Sequence, residues 1–496
     1  MKRRILSLLL TAAMLLSVFA LTACSEQAAD GGEQTPAAQT GDDGTIEAAA
    51  EPEKDMLDSR EDVSDELPEK NFDGKIYNIA GDEQFVDYYT TEDLNGEVVN
   101  DAVYQRNSLI SERFNVQITA NVFEESSITG QVKNSVLAGD DAYQLMAGHI
   151  IYQGMAATDK IMYNMRDLPY IDYSKPWWSS STEEDLTYKG MTFIAIGDFA
   201  LSSIMQTYCM FYNKDLGAQY NLPDMYELVN NGEWTIDRQI ELSNGVYVDV
   251  NGDGEKDAGD IYPLSTSCKS AANAYLWAFG KKIATQQSDG TYNVSYFDEK
   301  IVSVVEKLYH MYYETDCAFI DPNDHSTMIS FEPGLALFAN GTFDRATGTL
   351  RDVEFDYGII PYPKWDAAQE KYYTSVDGGH EGLCVPKGIS DPEFCGLMLE
   401  ALCAESWKKT VPAYYDTALK YKGARDYESL AMIDSIMESR IFDFGYVYGG
   451  WGPVFWIQYQ LEKATKDITS YYEKNHKVFD KYMEKIYQAF DEYTEE

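Results

Sequence analysis

The chain has 496 residues and a formal net charge of −43, with 82 Asp and Glu against 39 Lys and Arg. A field of that sign repels phosphate backbones and anionic head groups, which argues against nucleic-acid binding. The length exceeds a single core at roughly 100–200 residues per domain, and 38 Tyr, 21 Phe and 8 Trp supply the apolar material for two lobes.

Lys2, Arg3 and Arg4 precede an apolar run from Ile5 to Leu21, followed by Leu21-Thr22-Ala23-Cys24. A short apolar segment with a basic flank and small residues before a cleavage point reads as a signal peptide over 1–23. The cysteine at this place resembles the lipobox of bacterial lipoproteins. That resemblance implies lipidation of Cys24 and anchorage at the extracellular face of the bacterial cell membrane, the only membrane contact expected. More than one acyl chain makes such an anchor stable. Residues 25–70 contain no aromatic residue and are rich in Ala, Glu, Asp, Gly, Ser, Thr and Pro. Too little apolar surface is available there to offset ordering entropy, so 24–71 is expected to be a lipidated cysteine plus a flexible acidic linker. The folded part is expected to begin at Phe72.

Lys75 to Ala80 has a strand pattern that runs into Gly81-Asp82. Val99, Val103, Ile110 and Phe114 then recur at helical spacing, and Val116, Ile118, Ala120 and Val122 alternate as a strand. Strand, helix, strand predicts a parallel βαβ unit. Tyr143 to Ala147 is a further strand ending at Gly148-His149, and Met191 to Ile196 another leading to Gly197-Asp198. Helices are predicted from Ile301, Val305, Leu308 and Tyr312, and from Phe479, Met483, Ile486 and Phe490. The class is α/β. The six cysteines beyond Cys24 show no zinc-ligand spacing and are expected to be mostly buried free thiols.

Four ordered segments carry a resemblance. They are Phe211-Tyr-Asn-Lys-Asp215 with Gly232-Glu-Trp-Thr-Ile236, Phe331 to Gly341, Tyr357-Gly-Ile-Ile-Pro-Tyr-Pro363, and Cys384-Val-Pro-Lys387. Together they resemble extracellular solute-binding proteins of the maltose-binding type, lipoprotein components of ABC importers. The stretches around 245–295 and 405–455 depart from that pattern. The resemblance implies a two-lobed periplasmic-binding-protein-like fold with a hinge crossed three times, near Ala195, Asn340 and Lys387. It would place 72–195 and 341–387 in the N-terminal lobe, and 196–340 and 388–496 in the C-terminal lobe.

Ligands sit outside the carboxyl ends of strands in open α/β sheets. Asp82, His149 and Asp198 follow such ends, and the resemblance adds Phe343 and Trp451, with Trp456 as the competing match. Two kinds have a structural alternative: the two aspartates cap helices, and His149 is a satisfied structural histidine. Trp177 and Trp178 are either a stacking platform or a loop pinned to the lobe, and Trp365 is a surface aromatic. Aromatic faces with carboxylates suit an oligosaccharide.

Asp249 to Asp260 matches an EF-hand calcium loop. Asp249, Asn251, Asp253, Asp257 and Asp260 stand at positions 1, 3, 5, 9 and 12, Glu255 offers its carbonyl at 7, and Gly254 stands at 6. Aspartate replaces the usual glutamate at the last position. A structural calcium ion is the expectation, and a solvated acidic turn the alternative.

The expected function is therefore capture of a carbohydrate by a monomer, and its delivery to an ABC permease with ATPase subunits. A peptide or other solute is the alternative ligand. A secreted glycoside hydrolase is the alternative from another class, although 82 acidic residues make any chosen carboxylate pair uninformative.

Overall fold

The computed structural model describes residues 59–321 and 327–493. Two mixed sheets organise them. The first has the order Glu381–Cys384, Leu145–His149, Lys75–Asp82, Val116–Phe123. Its last three strands are parallel, and Glu381–Cys384 joins antiparallel with Glu381 opposite His149. The helix Val98–Phe114 makes the predicted crossover. It buries Val103, Ile110 and Phe114 and stops where Asn115 turns left-handed at φ 49°.

The second sheet has the order Tyr357–Ile360, Tyr208–Asn213, Ala336–Thr342, Tyr262–Thr266, Ala318–Ile320. Tyr208–Asn213 is antiparallel to both neighbours, and the remaining pairs are parallel. Its central strands are buried along their whole length, which explains continuous apolar runs where a half-exposed strand would alternate. The architecture is the expected two-lobed α/β fold.

The chain passes between the sheets three times. Ala195 is bridged to Leu383 of the first sheet, and Tyr208 opens the central antiparallel strand of the second. Val376 is bridged to Thr207, and Glu381 re-enters the first sheet. The third passage leaves the helix Pro392–Glu405 and reaches the helix Tyr427–Glu438, where the Ser429 hydroxyl accepts from the Ile359 N–H at 3.1 Å.

These passages correct the expected boundaries. Tyr357–Ile360 completes the second sheet instead of the first, because its buried apolar run covers the open edge of Tyr208–Asn213. Asn340 lies inside a strand of that sheet opposite Met210, so no crossing occurs there. Pro392–Glu405, beyond Lys387, packs Phe394, Leu397, Met398 and Leu402 into the first lobe's core. Met191 to Ile196 contributes isolated bridges at Met191 and Ala195 instead of a full strand.

The fold also begins earlier than Phe72. Leu67 is buried in the first lobe's core, Asp65 pairs with Arg113 at 2.5 Å, and the Arg60 guanidinium covers Trp407 at 5.3 Å. One leucine and two charged anchors fasten a segment that its composition alone reads as linker. The signal segment, Cys24 and the rest of the linker lie outside the described residues.

Packing joins the lobes as well. A continuous apolar cluster holds Ala80, Met146 and Ile150 together with Leu264, Phe338 and Ile360. The C-terminal helix Ile468–Tyr493 lies along this seam, with Phe490 stacked on Phe193 at 5.1 Å and 6°. The six described cysteines are buried. Among the described residues no helix is long and apolar enough to cross a membrane.

Candidate ligand cleft

Strand ends and one crossing segment bring polar groups together. Asp82 ends its strand fully buried, and one carboxylate oxygen caps the following turn by accepting from the Gln84 N–H at 2.9 Å. Its other oxygen has no partner. Burial, reinforced by Glu83 and Glu124, raises its pKa above the ordinary carboxylate range. His149 ends the neighbouring strand with its ring 4.7 Å from Tyr152. Burial pushes His149 down to about 4, against an opposing pull from Asp377, so the imidazole is neutral near pH 7.

Asp377-Gly378-Gly379-His380 forms the second crossing. Asp377 accepts from the Tyr208 hydroxyl at 2.5 Å and the Gly379 N–H at 2.8 Å, tying the crossing to the start of a second-sheet strand. His380 donates from Nδ1 to the Asp377 carbonyl. Gly378 is required by close approach: a Cβ there would stand 2.3 Å from Ile151 and 2.6 Å from the Tyr446 hydroxyl. Glu381 next to it is satisfied, accepting from Ser202 at 2.9 Å and from Tyr89. Burial lifts it to about 7.

Trp451 approaches from the C-terminal segment. Set among glycines, it keeps 40% of its surface exposed. Its indole meets His149 at 6.0 Å, Tyr152 at 5.6 Å and Phe455 at 4.8 Å, all edge-on. Phe455 stacks on Tyr446, whose hydroxyl neighbours Gly378, so an aromatic wall continues toward Asp377. A cavity of about 350 Å³ is lined by Trp451 together with Met155, Trp456, Tyr459, Phe479 and Tyr482. The arrangement offers flat apolar faces beside hydrogen-bond acceptors.

The structure therefore brings His149 and Trp451 into contact and leaves Asp82 at the end of the strand beside that of His149. Trp456 lines the cavity but is 5% exposed and packs on Tyr296, Tyr471 and Phe479. Asp198 faces Arg440 and Arg60 instead, and burial sets it at about 7. Phe343 is fully buried among Phe211, Phe331 and Tyr357, so it is a core residue and not a ligand contact. Trp177 and Trp178 are pinned to the lobe, each donating an indole N–H to one oxygen of Glu400 at 2.9 Å. Trp365 lies under the Lys300 ammonium at 3.6 Å.

Sequence reasoning missed Tyr152, Asp377, His380 and Tyr446, and also Glu125, which lies just past the strand Val116–Phe123 and feels the charge of Asp82 and Asp377. The signal for two of them was present: a Gly-Gly pair flanked by Asp and His marks a tight passage with polar ends.

The acidic loop after Val248 turns at Gly252 and Gly254, both left-handed at φ 73° and 79°. Asp249 accepts from the N–H groups of Gly252 at 2.7 Å and Gly254 at 2.9 Å, and Asp253 accepts from Glu255 at 2.8 Å. Asp260 accepts from Val250 at 3.0 Å and from the Tyr247 hydroxyl at 3.1 Å. The left-handed glycine in mid-loop fits the calcium pattern. The carboxylates, however, are turned to the loop's own donors, and among the described residues no three His, Cys, Asp or Glu side chains gather as a metal requires.

No family model matches the sequence, and a search of curated proteins found no match. Solved structures do match over most of the chain. The galacto-N-biose/lacto-N-biose I-binding protein of Bifidobacterium longum, in complex with lacto-N-biose, aligns at TM-score 0.55 and 13% identity, covering 85% of this chain and 97% of that one. The GacH receptor of Streptomyces glaucescens, solved unliganded and with acarbose, aligns at 0.54 and 12%, covering 83% and 98%. UgpB of Mycobacterium tuberculosis with glycerophosphocholine aligns at 0.54 and 14%, covering 84% and 99%. The fold is that of the two-lobed solute-binding proteins. At these identities the likeness concerns architecture, and the side chains of the cleft are this chain's own.

Proposed function

We propose that this solute-binding fold captures an oligosaccharide between its lobes, without altering it, and delivers it to an ABC transporter permease driven by ATPase subunits. The observation that carries the reading is the half-exposed Trp451 indole, which meets Tyr152 and His149, the latter within electrostatic reach of the Asp377 carboxylate. A flat aromatic face covers the C–H patches of a pyranose, and carboxylates accept from its hydroxyls. Neighbours of the same fold holding lacto-N-biose and acarbose support solute capture, while glycerophosphocholine in another leaves the solute to be decided by side chains. Closure about the crossings would bury the ligand against the aromatic wall.

In this reading the protein is a monomeric, non-catalytic lipoprotein, tethered through Cys24 at the extracellular face of the cell membrane. A calcium ion at Asp249, Asn251, Asp253, Glu255, Asp257 and Asp260 would be structural, since nothing links that loop to the cleft.

A thermal-shift screen of neutral oligosaccharides and peptides, with chromatography of the incubated glycans, tests the proposal. A saccharide that raises Tm and is recovered intact is the expected result. Cleavage products would make the protein a hydrolase, and stabilisation by peptides alone would overturn the sugar assignment.

A further inference from the structure

Three carboxylates from different elements lie within electrostatic reach of one another. Asp82 closes one strand, Glu125 follows the neighbouring strand Val116–Phe123, and Asp377 lies on the second crossing. Glu125 feels the charge of both others, and His149, which touches the indole, feels Asp377. Among the described residues none of the three carboxylates pairs with a lysine or arginine. The nearest guanidinium groups are engaged otherwise: Arg345 pairs with Asp344 at 3.8 Å, and Arg440 donates to the carbonyls of Ser203 and Met437 and faces Asp198.

A second observation does not depend on charge. Asp82 Oδ2, His149 Nδ1 and His380 Nε2 have no hydrogen-bond partner, in side chains 0%, 8% and 1% exposed. The Asp377 carbonyl takes the Nδ1–H of His380, so its free Nε2 carries a lone pair. Burial pushes both imidazoles down to about 4, which keeps them neutral. Unpaired buried polar atoms are costly, and so are unbalanced carboxylates, which points to a ligand that supplies donors and positive charge.

We propose that the captured solute carries a protonated amine, as an amino sugar or an oligomer of one, whose ammonium is held by Asp82, Glu125 and Asp377 while its ring lies against Trp451. This rests on the carbohydrate reading and narrows it. An ammonium provides three donors and the missing charge, whereas a hydroxyl provides one donor and no charge. The indole face adds a cation–π attraction.

Titration calorimetry of the full chain with a glucosamine trisaccharide, its N-acetylated form and maltotriose, below the amine's pKa, decides the matter. The free amine is expected to bind at least about tenfold tighter than either neutral sugar. Glu125→Gln, at a half-buried position, should reduce that preference about tenfold with Tm unchanged. Equal or tighter binding of a neutral trisaccharide would overturn the amine inference and leave carbohydrate capture standing. Binding of none of the three would overturn both.

Discussion

Trp451 keeps two-fifths of its surface because the glycines around it offer no side chains to pack over its outer face. An exposed aromatic of that size contributes little to folding and much to a contact. Trp451→Ala should therefore lower stability by about 1 kcal/mol or less while weakening solute binding at least about tenfold, read by denaturation and calorimetry. Glu400 is the opposite case. Fully buried against two indole N–H groups, it is raised by burial to about 7. Between its unfolded value near 4.3 and about 7, the native state holds a proton that the unfolded chain has released. Stability from this group therefore falls as pH rises through that window, and Glu400→Gln should remove that part of the slope in urea unfolding at several pH values. At this scale the sequence exposed Asp82, His149 and Trp451 because strand ends and glycine-flanked aromatics are local signals. It hid Glu125, Asp377 and His380, whose roles depend on which strand the crossing segment rejoins. Phe343 was misread because a position after a strand end faces either cleft or core, and only the packing of Phe211 and Phe331 decides.

Elements with strong periodicity or clear stops were legible. The helix Val98–Phe114 and the parallel strands on either side of it follow directly from spacing. Elements whose place depends on edges were not: Tyr357–Ile360 is short and apolar, and either sheet would bury it. Residues 59–71 show that a few anchors, Leu67 and the Asp65–Arg113 pair among them, outweigh a linker-like composition. The acidic loop at 249–260 is the element whose chemistry stays a proposal. Calcium there would draw Asp249 and Asp260 away from the loop's own donors and fasten the strand-like pairing of Val248 with Ile261. Adding a chelator should then lower Tm, and Asp253→Asn should lower it by a similar amount and abolish the chelator effect. A Tm unmoved by chelator and calcium alike would assign the loop as a solvated turn.

For the whole molecule, two sheets joined by three passages place strand ends from both lobes around one crossing, and the aromatic seam from Trp451 to Tyr446 walls that space. Lobe number and class followed from length and pattern. The routing of the passages required long-range pairings such as Glu381 with His149 and Val376 with Thr207, which no local window contains. The central claim is that one solute is held between the lobes, excluded from water by both. Titration calorimetry with an amino-sugar oligomer at several temperatures tests it most directly. One ligand per chain, with a negative heat-capacity change from apolar surface buried on binding, is the predicted result. Several equivalent ligands per chain, or saturable binding with no heat-capacity change, would mean a surface contact and contradict capture in the cleft.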